Sequence, residues 1–141
     1  MTINEIQQEI VEEFSALEEW MDKYNYLIEL GKELPLIDPA LRNDNYLIRG
    51  CQSRVWINAE LIDGKIHYTA DSDAIITKGL AALMIRTFTG HTPEEIVQAD
   101  LGFIDQIGLK EHLSPTRSNG LVSMINQMRY FAMAWNIKNQ Q

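Results

Sequence analysis

One residue in this 141-residue sequence can act as a soft nucleophile: Cys51, its single cysteine. It lies in Gly50-Cys51-Gln52-Ser53, at the exit of a proline-marked loop and just before a predicted hairpin. A structural cysteine is expected inside an apolar run of a strand or helix. This one is flanked by glycine and polar residues, with Arg49 and Arg54 close in sequence. Cationic neighbours favour the thiolate, the form that attacks sulfur. The chemistry open to the chain is therefore thiol-based exchange or, if a base is supplied, cysteine hydrolysis.

The bases on offer for hydrolysis are His67, His91 and His112. His67 faces Glu60 in the hairpin register derived below, an ordinary cross-strand polar pair. His91 falls in an inter-helix turn and His112 in a loop before the last helix, so a Cys–His pair is weakly supported. One cysteine and three scattered histidines offer no ligand pair at zinc spacing, and an iron–sulfur scaffold needs several thiolates. The glycines form neither a phosphate loop nor a dinucleotide fingerprint. No metal and no cofactor of its own is expected.

Charge narrows the partners. The formal net charge is −8. Residues 1–33 hold nine acids against Lys23 and Lys32, a net −7. Phosphate binding needs a basic face, so nucleic acid is not expected as a partner. The acidic segment reads as a solvated helix face, with an acidic docking patch for a basic partner as the alternative. Apolar runs fall well short of the roughly 20 residues that span a bilayer. The N-terminus, Met1-Thr2-Ile3-Asn4-Glu5, has no basic region followed by an apolar one, so a secretory signal is not expected. A lone cysteine rules out an internal disulfide and fits a reducing, cytoplasmic setting.

The elements that must position Cys51 are legible from periodicity. With 45% hydrophobic residues, the chain reads as one domain over residues 1–141. Thr2 and Glu5 form a capping-box pattern, followed by Ile3, Ile6, Ile10, Phe14 and Leu17 at helical spacing. A second such pattern, Ser15 to Glu18, predicts a new helix from about residue 16, with Trp20, Tyr24, Leu27 and Leu30 buried and Gly31 as C-cap. Pro35 and Pro39 mark a loop to about Gly50. Asp63-Gly64 is a two-residue turn signal, and residues 54–71 read as a hairpin. Its register pairs Leu61 with Ile66, Ala59 with Tyr68 and Ile57 with Ala70 on a core face. Glu60–His67, Asn58–Thr69 and Trp56–Asp71 lie on the other.

A helix over residues 74–88 follows, capped by Asp71, Ser72 or Asp73, closed by Gly90, and buried through Ile76, Leu80, Leu83 and Thr87. Gly79 inside it costs roughly 1 kcal/mol relative to alanine, which predicts close backbone packing. Thr92-Pro93-Glu94-Glu95 starts another helix, a short one covers residues 102–107, and Ser114-Pro115 opens the last. Its stripe is Leu121, Met124 or Ile125, Met128, Phe131 and Trp135. The fold class is α+β, a small hairpin-based antiparallel sheet covered by helices. Extending the hairpin brings Asp73 and the following helix N-terminus towards Cys51. That end lowers a thiol pKa, whereas Asp71 and Asp73 raise it, which leaves the sign open. Trp56 is read either as shelter for the sulfur or as packing under a covering helix.

Four stretches of the chain resemble the SufE family of sulfur acceptors. They are Trp20-Met21-Asp22-Lys23-Tyr24-Asn25-Tyr26-Leu27-Ile28-Glu29-Leu30-Gly31 with Leu34-Pro35; Gly50-Cys51-Gln52-Ser53-Arg54-Val55-Trp56; Asp71-Ser72-Asp73-Ala74-Ile75-Ile76-Thr77-Lys78-Gly79-Leu80; and His112-Leu113-Ser114-Pro115-Thr116-Arg117-Ser118-Asn119-Gly120-Leu121. The resemblance implies a fold shared with IscU-type scaffolds. It implies that Cys51 accepts a persulfide sulfur from a SufS-type, or alternatively CsdA-type, cysteine desulfurase, and passes it to a SufBCD-type scaffold for iron–sulfur cluster assembly. Pyridoxal phosphate then belongs to the desulfurase. It further implies a cysteine loop that is sheltered at rest and swings out on docking. Gly50, Gln52, Ser53, Arg117 and Asp73 are the supporting residues. Gln52 and Ser53 either bond the sulfur or fix the loop, the second being preferred. Arg117 either supports the thiolate or engages the partner, or forms a structural salt bridge. The competing functions are a docking activator that carries no sulfur and a cysteine hydrolase.

Overall fold

The computed structural model describes residues 1–139. In chain order it contains helices α1 (Ile3–Ser15) and α2 (Trp20–Lys32), a 3-10 turn (Pro39–Leu41) and strands β1 (Val55–Ile62) and β2 (Lys65–Ser72). Helices α3 (Ile75–Phe88), α4 (Pro93–Gln98), α5 (Phe103–Gln106), α6 (Leu109–His112) and α7 (Pro115–Asn139) follow. The expected α+β class is found, with one two-stranded antiparallel sheet among the described residues. No described helix is long and apolar enough to cross a membrane.

The hairpin has the expected register, Leu61 opposite Ile66, Ala59 opposite Tyr68 and Ile57 opposite Ala70, continuing to Val55 opposite Ser72. Its turn uses Asp63 at φ 53° and Gly64 at φ 79°, the left-handed pair that a two-residue turn needs to match strand twist. Ile57, Ala59, Ile66, Tyr68 and Ala70 are buried as the alternation requires. The other face is polar at Glu60 and His67 but closes over Trp56 and Asp71, which are buried too. Arg42 covers that end, its guanidinium 4.5 Å from the Trp56 ring centroid. Asp71 is held by Arg42 and Lys78, each at 3.3 Å. Trp56 is thus covered by Arg42, the residue that follows the 3-10 turn.

Both outer edges of the hairpin are occupied near this end. The Ile37 N–H donates to Ala70 O and the Ala70 N–H to Pro35 O. On the other edge the Ile48 N–H donates to Val55 O and the Ile57 N–H to Tyr46 O. The loop from Pro35 to Gly50 therefore satisfies backbone groups that a bare two-stranded ribbon leaves open. Helix α7 packs on the core face: Tyr68 Oη donates to Met128 O at 2.7 Å and Trp135 Nε1 to Ala59 O at 2.9 Å.

Three local expectations are corrected. The Ser15–Glu18 capping box does not form; Ser15 Oγ donates back to Glu12 O, and α2 starts at Trp20 after Glu19 with no side-chain cap. Helix α3 is capped by Ala74, not by Asp71, Ser72 or Asp73, although Ser72 Oγ accepts the Ala74 N–H. Those three side chains are engaged by Arg42, Lys78 and Arg54 instead. Gly31 lies inside α2 rather than capping it, where a Cβ would stand 2.9 Å from Gly79 N. A Cβ on Gly79 would stand 2.2 Å from Leu27 O. The two glycines let α2 and α3 cross backbone to backbone, the close packing expected at Gly79. The Thr2–Glu5 capping box forms as read, the helix start at Thr92-Pro93 is found and carries a further capping box to Glu95, and α6 is an additional short turn of helix.

The acidic N-terminal segment is partly internalised. Arg86 of α3 bonds Glu9 at 2.8 Å and Glu13 through two nitrogens, and Tyr26 Oη donates to the same Glu13. This draws Glu13 below the usual carboxylate range, chiefly through the Arg86 hydrogen bond. Replacing Gly79 with alanine is expected to lower the unfolding free energy by about 2–3 kcal/mol, the upper range for overpacking. Gly102→Ala, whose nearest atoms lie 4.0 Å from a built Cβ, serves as the control. Urea denaturation of the two variants checks this, and equal midpoints would remove the close crossing as a constraint.

Candidate functional site

The loop bearing Cys51 is clamped at its base. The Ile48 N–H to Val55 O bond (2.8 Å) closes it. Arg54 is fixed to the end of β2 and the residue after it: its carbonyl accepts from Ser72 Oγ at 2.7 Å and from the Asp73 N–H at 3.2 Å. Its own N–H donates to Asp73 Oδ1 at 3.0 Å. Gly50 bends the chain at φ +90°, where an L side chain is strained, and a Cβ there would meet Ser123 Oγ at 2.5 Å. The bend lets the loop fold against α7.

Cys51 is half-buried as a result. Its Sγ donates to the Gly120 carbonyl of α7 at 3.5 Å. Burial pushes the thiol pKa above its ordinary value. The cause is the removal of water from the half-buried sulfur, which disfavours the charged thiolate. No α3 amide bonds the sulfur; Thr77 and Leu80 of that helix line the cleft beside it.

The sulfur opens on a cleft of about 400 Å³ whose lining includes Gln52 and Ser53 of the loop, Thr77 and Leu80 of α3, and Thr116, Arg117 and Met124 of α7. Leu80 and Met124 are buried and give an apolar floor. The hydroxyls and Arg117 give a polar mouth. A larger cleft of about 500 Å³ between α1 and residues 100–106 holds amides and carboxylates but no nucleophile. The chemistry therefore belongs to the smaller one.

Of the expected supporting residues, Gln52, Ser53 and Arg117 line the cleft with Cys51, and Gly50 shapes its approach. Asp73 does not line it; its carboxylate anchors the loop base through Arg54. Arg117 forms no salt bridge among the described residues; it donates to Tyr24 Oη with its guanidinium 5.7 Å from the Tyr24 ring centroid. Trp56 is absent from the lining, as are all three histidines. His91 is buried, with its ring nitrogens against the carbonyls of Phe88, Thr89 and Met1. His112 stacks on Trp20 with ring centroids 4.4 Å apart. Sequence reasoning missed Tyr24, Ser123 and the Gly120 carbonyl. Tyr24 and Gly120 stand within the stretches that carry the family resemblance, but nothing local marks either as a neighbour of the sulfur site.

Comparison with known proteins decides the family. The SufE model, described as an Fe–S metabolism associated domain, matches residues 8–132. The chain belongs to the SufE family. An uncharacterized SufE-like protein of Rhizobium meliloti (strain 1021) is 39% identical over 126 residues, 86% of this chain and 90% of that protein. SufE-like protein 1, chloroplastic/mitochondrial, of Arabidopsis thaliana is 36% identical over 135 residues, 95% of this chain but 36% of that longer protein. A solution structure of a hypothetical protein from Thermus thermophilus superposes with TM-score 0.76 at 21% identity, over 92% of this chain and 94% of that one. SufE membership carries a general role in sulfur transfer for iron–sulfur metabolism, in company with a cysteine desulfurase.

Because burial raises the Cys51 pKa, its alkylation by iodoacetamide is expected to follow a pH profile shifted to higher pH than that of the same cysteine in the urea-unfolded chain. Below the folded pKa the native thiol stays protonated and slow. A native midpoint at or below the unfolded one would contradict the desolvated site.

Proposed function

We propose that this SufE-family protein is a persulfide carrier whose acceptor atom is the Cys51 sulfur. The Cys51 thiolate attacks the terminal sulfur of a persulfide on the desulfurase cysteine. The new bond joins Cys51 Sγ to that sulfur, the partner's S–S bond breaks, and the partner cysteine leaves as a thiolate. The exchange is redox-neutral, a relative of thiol–disulfide exchange. Pyridoxal phosphate chemistry stays with the desulfurase, for which a SufS-type enzyme is our choice and a CsdA-type enzyme the alternative. Delivery to a SufBCD-type scaffold, in a reducing compartment such as the cytoplasm, completes the proposal.

The observation that supports it most is the placement of the chain's single thiol: half-buried on a clamped loop, against Gly120, at the mouth of an apolar-floored cleft. A persulfide is readily reduced or over-oxidised, and such a pocket shields it. At rest the same pocket holds the thiol protonated. Docking that draws the loop outward rehydrates the sulfur, removes the desolvation penalty and releases the thiolate where the donor sulfur waits. Gly50 and the clamps at Arg54 make residues 49–53 the segment that moves.

Incubation with a SufS-type desulfurase and L-cysteine, followed by peptide mass spectrometry, is expected to find one added sulfur on the peptide containing Cys51, removable by reductant. Cys51→Ser should bind the desulfurase with unchanged affinity yet return its turnover to the unstimulated rate. Stimulation that survives the substitution would replace the carrier by a docking activator.

A further inference from the structure

The charge at the cysteine loop is opposite in sign to that of the whole chain. In a protein of net charge −8, Arg49 and Arg54 flank Cys51 and both are exposed. Arg117 of α7, also exposed, lines the cleft on which the sulfur opens. None of the three is ion-paired among the described residues. The carboxylate bonded to this loop, Asp73, is spent on the Arg54 backbone N–H. Asp71, two residues before Asp73, is buried and matched by both Arg42 and Lys78. By contrast the acidic segment of α1 sends Glu9 and Glu13 to Arg86, away from the sulfur site.

These guanidiniums balance no charge within the fold, and the backbone of Arg54, not its side chain, holds the loop. Two residues beyond Asp73, which grips Arg54, stands Ile75, an isoleucine 65% exposed in the first turn of α3. Clustered arginines with an exposed apolar residue at hand are the make-up of a protein-docking rim. A nucleic acid would meet a strongly anionic chain with no extended basic face.

We propose that Arg49 and Arg54, with Arg117, form a cationic collar that docks on an acidic surface surrounding the sulfur-bearing cysteine of the desulfurase. The proposal rests on the carrier reading and adds the sign of the partner's surface. Opposed charge steers the encounter and aligns the two sulfur atoms; rim charges of this kind act on association and its salt dependence more than on the chemical step.

Two measurements on the full chain test it, using Arg49→Glu/Arg54→Glu and the milder Arg49→Gln/Arg54→Gln. The first needs no partner. Cys51 is reacted with a dianionic aromatic disulfide and with an uncharged one. The ratio of the two rates is expected to fall roughly tenfold in the Glu variant at low salt, with the Gln variant between, and the difference to vanish near 1 M salt. The second follows stimulation of a SufS-type desulfurase. The acceptor concentration for half-maximal stimulation is expected to rise about tenfold in the Glu variant, with the maximal rate retained and the salt dependence flattened. Unchanged half-saturation and salt dependence, with sulfur still reaching Cys51, overturns the collar and leaves the carrier standing. Absence of sulfur on wild-type Cys51 overturns the carrier reading itself.

Discussion

The β1–β2 hairpin is held by a two-residue turn at Asp63 and Gly64 and a ladder running to Val55 opposite Ser72. Side chains alternate between faces, so a slip of one residue would turn Ile57, Ala59, Ile66 and Tyr68 out of the core. It would also carry Ser72 and Asp73 away from Arg54, the residue they grip. The position of the cysteine loop is thus a consequence of register. The edges of the same ladder secure the other end of the loop, where Ile48 bonds Val55. A small sheet suffices because chain segments that are neither strand nor helix complete its hydrogen bonding.

Around that hairpin, helices α3 and α7 close the core face and build the walls of the cleft. Helix α3 can do so because α2 lies directly against its backbone at Gly31 and Gly79. It is apolar almost all round, in keeping with a central helix packed on several sides. Helix α7 contributes the two groups that define the sulfur's surroundings, the Gly120 carbonyl and the Arg117 guanidinium.

The site reconciles two opposing demands on a thiol. Burial shelters the sulfur but disfavours the thiolate, and it raises the Cys51 pKa here. Flanking arginines favour the thiolate but are effective only when the sulfur shares their solvent-facing surroundings. The loop, clamped at its base and folded back at Gly50, holds the thiol against Gly120 while Arg49 and Arg54 stand exposed on either side. No histidine is among the residues lining the cleft.

Much of this was legible in the residues themselves. The hairpin register, the helices with their genuine capping boxes, the packing role of Gly79 and the single thiol on its glycine-flanked loop all follow from patterns within a few residues of one another. Periodicity and turn chemistry act at that range. The failures were also local: Ser15, Gly31 and Asp73 carry cap-like signatures that other partners claimed. What only the tertiary structure decided are contacts between distant positions, Cys51 with Gly120 across 69 residues and Arg117 with Tyr24 across 93. The direction of the thiol's pKa shift belongs to the same class. Desolvation sums over every group that displaces water from the sulfur, and those groups come from three separate elements. Sequence names the single thiol; packing sets the surroundings that shift its pKa.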